Sequence, residues 1–230
     1  MIEEPPLLQI VAKDKRRRPS DALIARFDGA ETGQVCDAMG GTGAMSHEIK
    51  PLGALPPRIL GPALTVGCGP ADILALLAAI AEAQSGDVLV VSTDNFREAA
   101  SLGDQVANMA KNAGISGVVT DGMARDIGGI EAVGLPVFGA GLSPNSPYSK
   151  GPGTVGLEII AGGRPVRSGD LIVGDRDGVA VVPFERLEQT ADALDQVRAA
   201  EAALAGEVAK GLRCPEAITE LLASDQTAYV

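Results

Sequence analysis

The chain has 230 residues, 46% of them apolar, and 19 Lys and Arg stand against 30 Asp and Glu for a formal net charge of −11. That apolar share supports a sizeable core and excludes general disorder, and no run approaches the ~20 apolar residues that span a bilayer. The acidic balance repels phosphate backbones, the 3% aromatic share without Trp offers no stacking platform, and the single histidine, His47, excludes multi-His zinc sites and most His-based triads.

The N-terminus opens Met1-Ile2-Glu3-Glu4-Pro5-Pro6, without the charged-then-apolar layout of a signal peptide. A basic knot follows, Lys13 and Lys15 to Arg18, closed by Pro19; it is expected to be a solvated arm, with contact to an acidic partner as the sharper alternative. Ala22 to Phe27 and Gly33 to Met39 are predicted helices, the second broken by Gly40-Gly41-Thr42-Gly43. Ile59 to Gly67 is a predicted strand. Asp72 to Ala83 is a predicted helix, since Ile73, Leu76, Leu77 and Ile80 recur at helical spacing and Asp72 can cap its start.

The centre reads most clearly. Asp87 to Val91 is a continuous apolar strand, Leu102 to Ala113 a helix, and Gly117 to Thr120 a second strand. Ile127 to Val133 is a short helix and Leu135 to Phe138 a third strand. This β-α-β-α-β alternation implies parallel strands with right-handed crossovers. Beyond it, Thr154 to Ile160, Arg164 to Val166, Leu171 to Val173 and Val179 to Val182 are short strands. Ala161-Gly162-Gly163 and Asp175-Arg176-Asp177-Gly178 supply hairpin turns between them. Phe184 to Ala209 is a long, alanine-rich helix. The expected organisation is an arm at 1–20, one α/β domain at 21–210 and a C-terminal extension at 211–230. The widely spaced Cys36, Cys68 and Cys214 form no disulfide framework and read as small buried hydrophobes in a reducing compartment, so a cytoplasmic location is expected.

Two motifs fail on context. Gly151-Pro152-Gly153-Thr154-Val155-Gly156 matches G-x-G-x-x-G, but a strand rather than a helix follows, so it is no dinucleotide loop. Asp175-x-Asp177-Gly178 starts like a calcium loop yet lacks its later oxygen ligands, and reads as a turn. His47 follows a glycine loop and reads as structural.

Two other segments converge. At the end of the second central strand the chain turns at Asp121-Gly122 and presents Arg125-Asp126 before a helix. Sites in open α/β sheets lie beyond the carboxyl ends of strands. There an arginine can hold a carboxylate and an aspartate can hold Mg²⁺. A surface Arg–Asp pair capping a helix is the alternative. At the same edge, Gly103 permits close backbone approach, and the Gln105 and Val106 amides point out of a helix start where anions are favoured. Asp104 adds a second carboxylate.

Gly103-Asp104 followed by Asp121-Gly122-Met123-Ala124-Arg125-Asp126 resembles the paired signature of the class II 4-hydroxy-4-methyl-2-oxoglutarate/4-carboxy-4-hydroxy-2-oxoadipate aldolases. Their superfamily includes the regulator of ribonuclease activity A. Further similar stretches are Cys36 to Gly41, Gly61 to Val66, Gly86 to Val91, Gly134 to Phe138, Gly151 to Gly153 and Gly169 to Asp175, so the resemblance spans roughly residues 25–205. It implies an α/β/β/α sandwich assembled as a homotrimer or homohexamer, with sites at subunit interfaces. It implies that Asp126 ligates Mg²⁺, Mn²⁺ or another divalent metal, and that Asp104 binds metal-coordinated water. Arg125 would hold the carboxylate of a small oxo acid, and the Gln105 and Val106 amides its oxygens beside Gly103. A glutamate from the C-terminal helix of the adjacent subunit completes such sites; Glu201 stands at the matching place, with Glu207 and Glu188 as rivals. The implied reaction is retro-aldol cleavage of a 4-hydroxy-2-oxo acid to pyruvate, with oxaloacetate decarboxylation as a side activity. Alternatives are a non-catalytic regulator of a ribonuclease-type partner and an oxaloacetate decarboxylase of the same fold. The sequence departs from the pattern after Val91, where an Asp-Gly pair is usual and Ser92-Thr93-Asp94-Asn95 stands.

Overall fold

A computed structural model describes residues 6–54 and 58–230. Residues 1–5, which hold most of the opening read above for a leader, lie outside the described residues. Contacts divide the chain into two units, Met1–Leu194 and Asp195–Val230.

The first unit opens with β1 (Leu8–Ile10), α1 (Asp21–Ala25), α2 (Thr32–Ala38), β2 (Lys50–Pro51) and β3 (Ile59–Gly67). Next come α3 (Leu74–Glu82), β4 (Val88–Ser92), β5 (Ala100–Leu102) and α4 (Asp104–Asn112). β6 (Gly117–Thr120), β7 (Met123–Ala124), α5 (Ile127–Val133), β8 (Val137–Gly139) and β9 (Gly141–Leu142) follow. The remainder is β10 (Gly153–Val155), β11 (Ile159–Ala161), β12 (Arg164–Val166), β13 (Leu171–Gly174), β14 (Val179–Val182) and the start of α6 (Leu187–Ala209). The second unit holds the rest of α6 and α7 (Glu216–Leu222). Among the described residues no helix is long and apolar enough to cross a membrane.

The main sheet runs β1-β10-β3-β4-β6-β8-β2; its strands β4, β6 and β8 are parallel as predicted, and β3 joins them in the same direction. β3 serves three partners, with β10 antiparallel to its end at Val66 and Gly67. Its second half, Ala63–Gly67, pairs with β4, while its first half, Ile59–Pro62, pairs antiparallel with β13 of the β13–β14 hairpin.

Strand alternation builds three cores from this arrangement. Leu89, Val91, Val118 and Val137 face α3, α4 and α5 through Leu76, Ala79, Ala107, Ala110 and Ile130. The opposite face, with Val88, Val90, Val119 and Phe138, packs on Ile172 and Val181 of the hairpin and on Ile159 and Val166 of β11 and β12. The far side of the hairpin, Leu171, Val173, Ala180 and Val182, is covered by Phe27, Val35, Leu187 and Leu194. Three apolar seams separate four layers, which is the α/β/β/α sandwich.

Several expectations need adjustment. The strand expected over Thr154 to Ile160 is two strands, because Gly156 at φ +88° turns the chain from β10 in the main sheet to β11 in a hairpin with β12. The basic knot is solvated at Lys13 and Lys15, which are exposed, but its arginines are engaged. Arg16 bonds the Glu82 carbonyl at 2.9 Å, Arg17 pairs with Glu185 and lies over the Phe184 ring, and Arg18 pairs with Asp87. β1, just before it, pairs with β10. Of the cysteines only Cys68 is buried, and burial pushes its thiol up to about 12; Cys36 and Cys214 are half-buried. The Asp175 turn is structural: its carboxylate accepts from the Thr32 amide and hydroxyl, both at 2.7 Å, and from the Asp177 amide at 2.9 Å.

Candidate functional site

The sequence did not disclose how the central strands end. β4, β6 and β8 are each followed by a short second strand, and these, β5, β7 and β9, form a small parallel sheet of their own. This sheet fixes the loop tips relative to one another. β5 delivers Gly103 and the start of α4, and β7 delivers Arg125 and Asp126 and the start of α5. The Arg125 amide donates to Leu102 O at 3.0 Å, so the two tips are joined by backbone.

At the join, Gly103 and Asp126 are in contact. A β-carbon placed on Gly103 would stand 2.6 Å from Asp126 Oδ2 and 3.3 Å from Arg125 Cγ. Arg125 Nε lies 3.2 Å from Asp126 Oδ2, with the two side chains 34% and 49% exposed, so both present polar edges to solvent. Asp126 is left-handed, at φ 55° and ψ 43°, a conformation that costs non-glycine residues energy and that Asp tolerates better than most. Its carbonyl accepts from the Gly129 and Ile130 amides at 2.9 and 3.0 Å, which locks that conformation at the head of α5.

Asp104 is the first residue of α4, where the helix dipole favours a carboxylate. Its Oδ1 accepts from the Gln105 amide at 2.7 Å. The first carbonyl-bound amide of α4 is that of Ala107, which donates to Gly103 O at 3.0 Å. The Val106 amide therefore precedes the helical ladder at the start of α4, while the Gln105 amide is engaged by Asp104. α5 is close enough that a β-carbon on Gly129 would stand 2.6 Å from Asp104 Cβ. The structure thus brings Gly103, Asp104, Gln105, Val106, Arg125 and Asp126 together. Glu201 lies in the second unit, on α6.

Two supports went unrecognised in the sequence. Ser146, in the polar loop after β9, accepts a hydrogen bond from Arg125 Nη1 and holds the guanidinium. Its signal was only a Ser-Pro-Asn-Ser-Pro run at the same sheet edge. Asp121 is 1% exposed and accepts from the Thr93 amide at 2.7 Å and the Thr93 hydroxyl at 3.0 Å, while Ser92 Oγ lies 3.0 Å from its other oxygen. Ser92-Thr93, the departure from the family pattern, thus ties the end of β4 to the turn before Arg125. Asp121→Ala would strand these donors in the interior, so unfolding in urea is expected to show a loss of about 3 kcal/mol; a loss below ~1 kcal/mol would remove Asp121 as the tie.

The donor set suits a hydrated hard cation. One half-exposed carboxylate stands beside a glycine whose missing side chain leaves it clear, and a second acid sits on the neighbouring tip. Among the described residues no group of three or more His, Cys, Asp or Glu is gathered as a cage would need. Mg²⁺ takes one or two carboxylates and keeps its waters. His47 is outside this cluster, lining a separate hollow with Thr32, Cys36 and Lys50.

A family model described as RraA-like: Aldolase/RraA matches residues 32–181. The chain belongs to the RraA-like family. A protein of Halalkalibacterium halodurans named "Putative 4-hydroxy-4-methyl-2-oxoglutarate aldolase" is 40% identical over 161 residues, 70% of this chain and 76% of that one. Among solved structures, Streptomyces coelicolor RraAS2, described as an unusual member of the RNase ES inhibitor RraA protein family, aligns with TM-score 0.74 and 27% identity, over 83% of this chain and 100% of that one. An uncharacterized protein of Pseudomonas syringae pv. tomato aligns with TM-score 0.74 at 24% identity, over 85% of this chain and 96% of its own, and shares the RraA-like fold.

Proposed function

We propose that this RraA-like protein is a divalent-metal-dependent aldolase that cleaves a 4-hydroxy-2-oxo acid, such as 4-hydroxy-4-methyl-2-oxoglutarate, to pyruvate and a second oxo acid. The observation that carries the reading is the contact between the two loop tips, which sets Asp126, Arg125 and the start of α4 around one point. The name of the Halalkalibacterium halodurans relative supports it.

Asp126 would hold the cation directly and Asp104 would reach it through water; a bound Mg²⁺ or Mn²⁺ would supply Lewis-acid stabilisation of the enolate charge. Arg125, braced by Ser146, holds the pyruvyl carboxylate, and the Val106 amide donates to a pyruvyl oxygen. Gly103 lets the substrate approach the backbone. A carboxylate, Asp104 or Glu201 from a neighbouring subunit of a trimer or hexamer, accepts the C4 hydroxyl proton through water. The C3–C4 bond then breaks, its electron pair stays on C3 of the pyruvate enolate, and C3 is protonated. Oxaloacetate decarboxylation passes through the same enolate and is expected as a side activity.

The description of the Streptomyces coelicolor neighbour favours a second reading, a regulator that binds a ribonuclease-type partner. Pyruvate release under Mg²⁺ from a panel containing 4-hydroxy-4-methyl-2-oxoglutarate and oxaloacetate separates them. Turnover of the hydroxy-oxo acid supports the aldolase. Release from oxaloacetate alone makes the protein a decarboxylase, and release from neither leaves the regulator.

A further inference from the structure

We propose that the hollow between the N-terminal arm and the β10–β11 corner is a binding site for a small oxyanion, phosphate or a short carboxylate. The starting point is Arg16. Its side chain is only 4% exposed, and of its three guanidinium nitrogens only Nη2 is bonded, to the Glu82 carbonyl at 2.9 Å, with the Glu82 carboxylate 3.5 Å away. Nε and Nη1 are buried without a hydrogen-bond partner. Buried charged donors are rarely left so, because each has given up its water for nothing in return. No described residue supplies the acceptor they lack.

Arg16 lines a cavity of about 210 Å³ together with Val11, Lys15, Gly156, Leu157 and Arg167. A single water needs roughly 10–15 Å³, and pockets for drug-sized ligands run from roughly 300 Å³, so this volume suits a small anion rather than a nucleotide. Four cationic side chains, Lys15, Arg16, Arg17 and Arg167, line it against one carboxylate, Glu158, in a chain of net charge −11. Arg17 is paired with Glu185, and Arg167 with Glu158 at the rim. Lys15 makes no ion pair among the described residues, and Arg16 is incompletely neutralised. Arg16 also borders, with Arg18 and Asp87, a hollow of about 10 Å³ that has room for a water at most. The two orphan nitrogens are sealed from solvent, so binding an anion from the larger cavity requires the guanidinium to turn into it, with Lys15 and Arg167 closing from the rim.

The arrangement has a structural reason to exist. Gly156 leaves the room: a β-carbon there would stand 2.8 Å from Val11 Cβ and 3.4 Å from Arg16 Cδ. An anion held here would fasten the arm to the β10–β11 corner. The site shares no residue with the Arg125–Asp126 cluster and does not rest on the aldolase reading.

The test is calorimetric titration of the full chain, in EDTA and at constant ionic strength, with inorganic phosphate in one arm and malonate in the other. Saturable binding of one ion per chain is expected, and the tighter of the two names the source. Lys15→Met/Arg167→Met, which removes rim charges and leaves the buried Arg16 contacts in place, is expected to weaken it by roughly tenfold or more, as charge-assisted bonds imply. Arg125→Gln is expected to leave it unchanged. Saturation by neither ion, affinity unaltered in the double variant, or loss of binding in Arg125→Gln would each overturn the proposal, the first by showing that water alone satisfies Arg16.

Discussion

Asp126→Asn is expected to lose at least ~10³-fold in kcat/KM for pyruvate release while keeping the wild-type unfolding midpoint. Asparagine accepts the left-handed conformation that Asp126 holds at the head of α5, so the bonds from the Gly129 and Ile130 amides to its carbonyl survive. What disappears is the anionic oxygen beside Gly103. If that oxygen anchors the cation, the electrophilic stabilisation of the enolate goes with it, several kcal/mol of barrier, and each 1.36 kcal/mol is about tenfold. Asp126→Gly separates conformation from chemistry in the same way: it adopts φ 55° without the side-chain cost and should be equally inactive. Steady-state pyruvate release beside thermal unfolding checks both. An Asp126→Asn enzyme with near wild-type turnover would strip Asp126 of its role.

Gly103→Ala probes the site from the opposite tip and adds one methyl group. The added carbon would overlap Asp126 Oδ2, at 2.6 Å, and crowd the Arg125 side chain, at 3.3 and 3.4 Å from Cγ and Nε. The backbone of Gly103 is extended, at φ −134°, so alanine brings no backbone strain. The clash is with side-chain ends that can turn away, so the fold survives and the carboxylate and guanidinium shift. A misplacement of about 1 Å can cost roughly 10²-fold in rate. A comparable fall in kcat/KM with unchanged stability is expected; wild-type kinetics would mean that the two tips do not act on one substrate.

The central parallel strands were legible because buried strands such as Val88-Leu89-Val90-Val91 read as unbroken apolar runs between helical periods. The hairpins were legible because Gly162-Gly163 and Asp175 to Gly178 carry turn chemistry. The small sheet of β5, β7 and β9 was not. Two- and three-residue strands such as Met123-Ala124 and Gly141-Leu142 are too short to show alternation, and long-range pairing alone defines them. The arm was misread for a related reason. Arg16, Arg17 and Arg18 look solvated as a run, and their partners Glu82, Glu185 and Asp87 are far along the chain. Within the site, Arg125, Asp126 and Gly103 stood out by residue type at strand ends. The tie through Asp121 and the brace from Ser146 did not, since each depends on a partner about 20 or more residues away.

Pyruvate binding to the wild-type chain, measured by calorimetry with Mg²⁺ and again in EDTA, tests most directly whether cation and guanidinium share one ligand. Linkage requires that Mg²⁺ and pyruvate tighten each other's binding by the same factor. The account predicts that Mg²⁺ tightens pyruvate by at least ~10-fold, and that this gain vanishes in Asp126→Asn. Equal affinity in Mg²⁺ and EDTA, or a Mg²⁺ effect that persists without the Asp126 carboxylate, would contradict it.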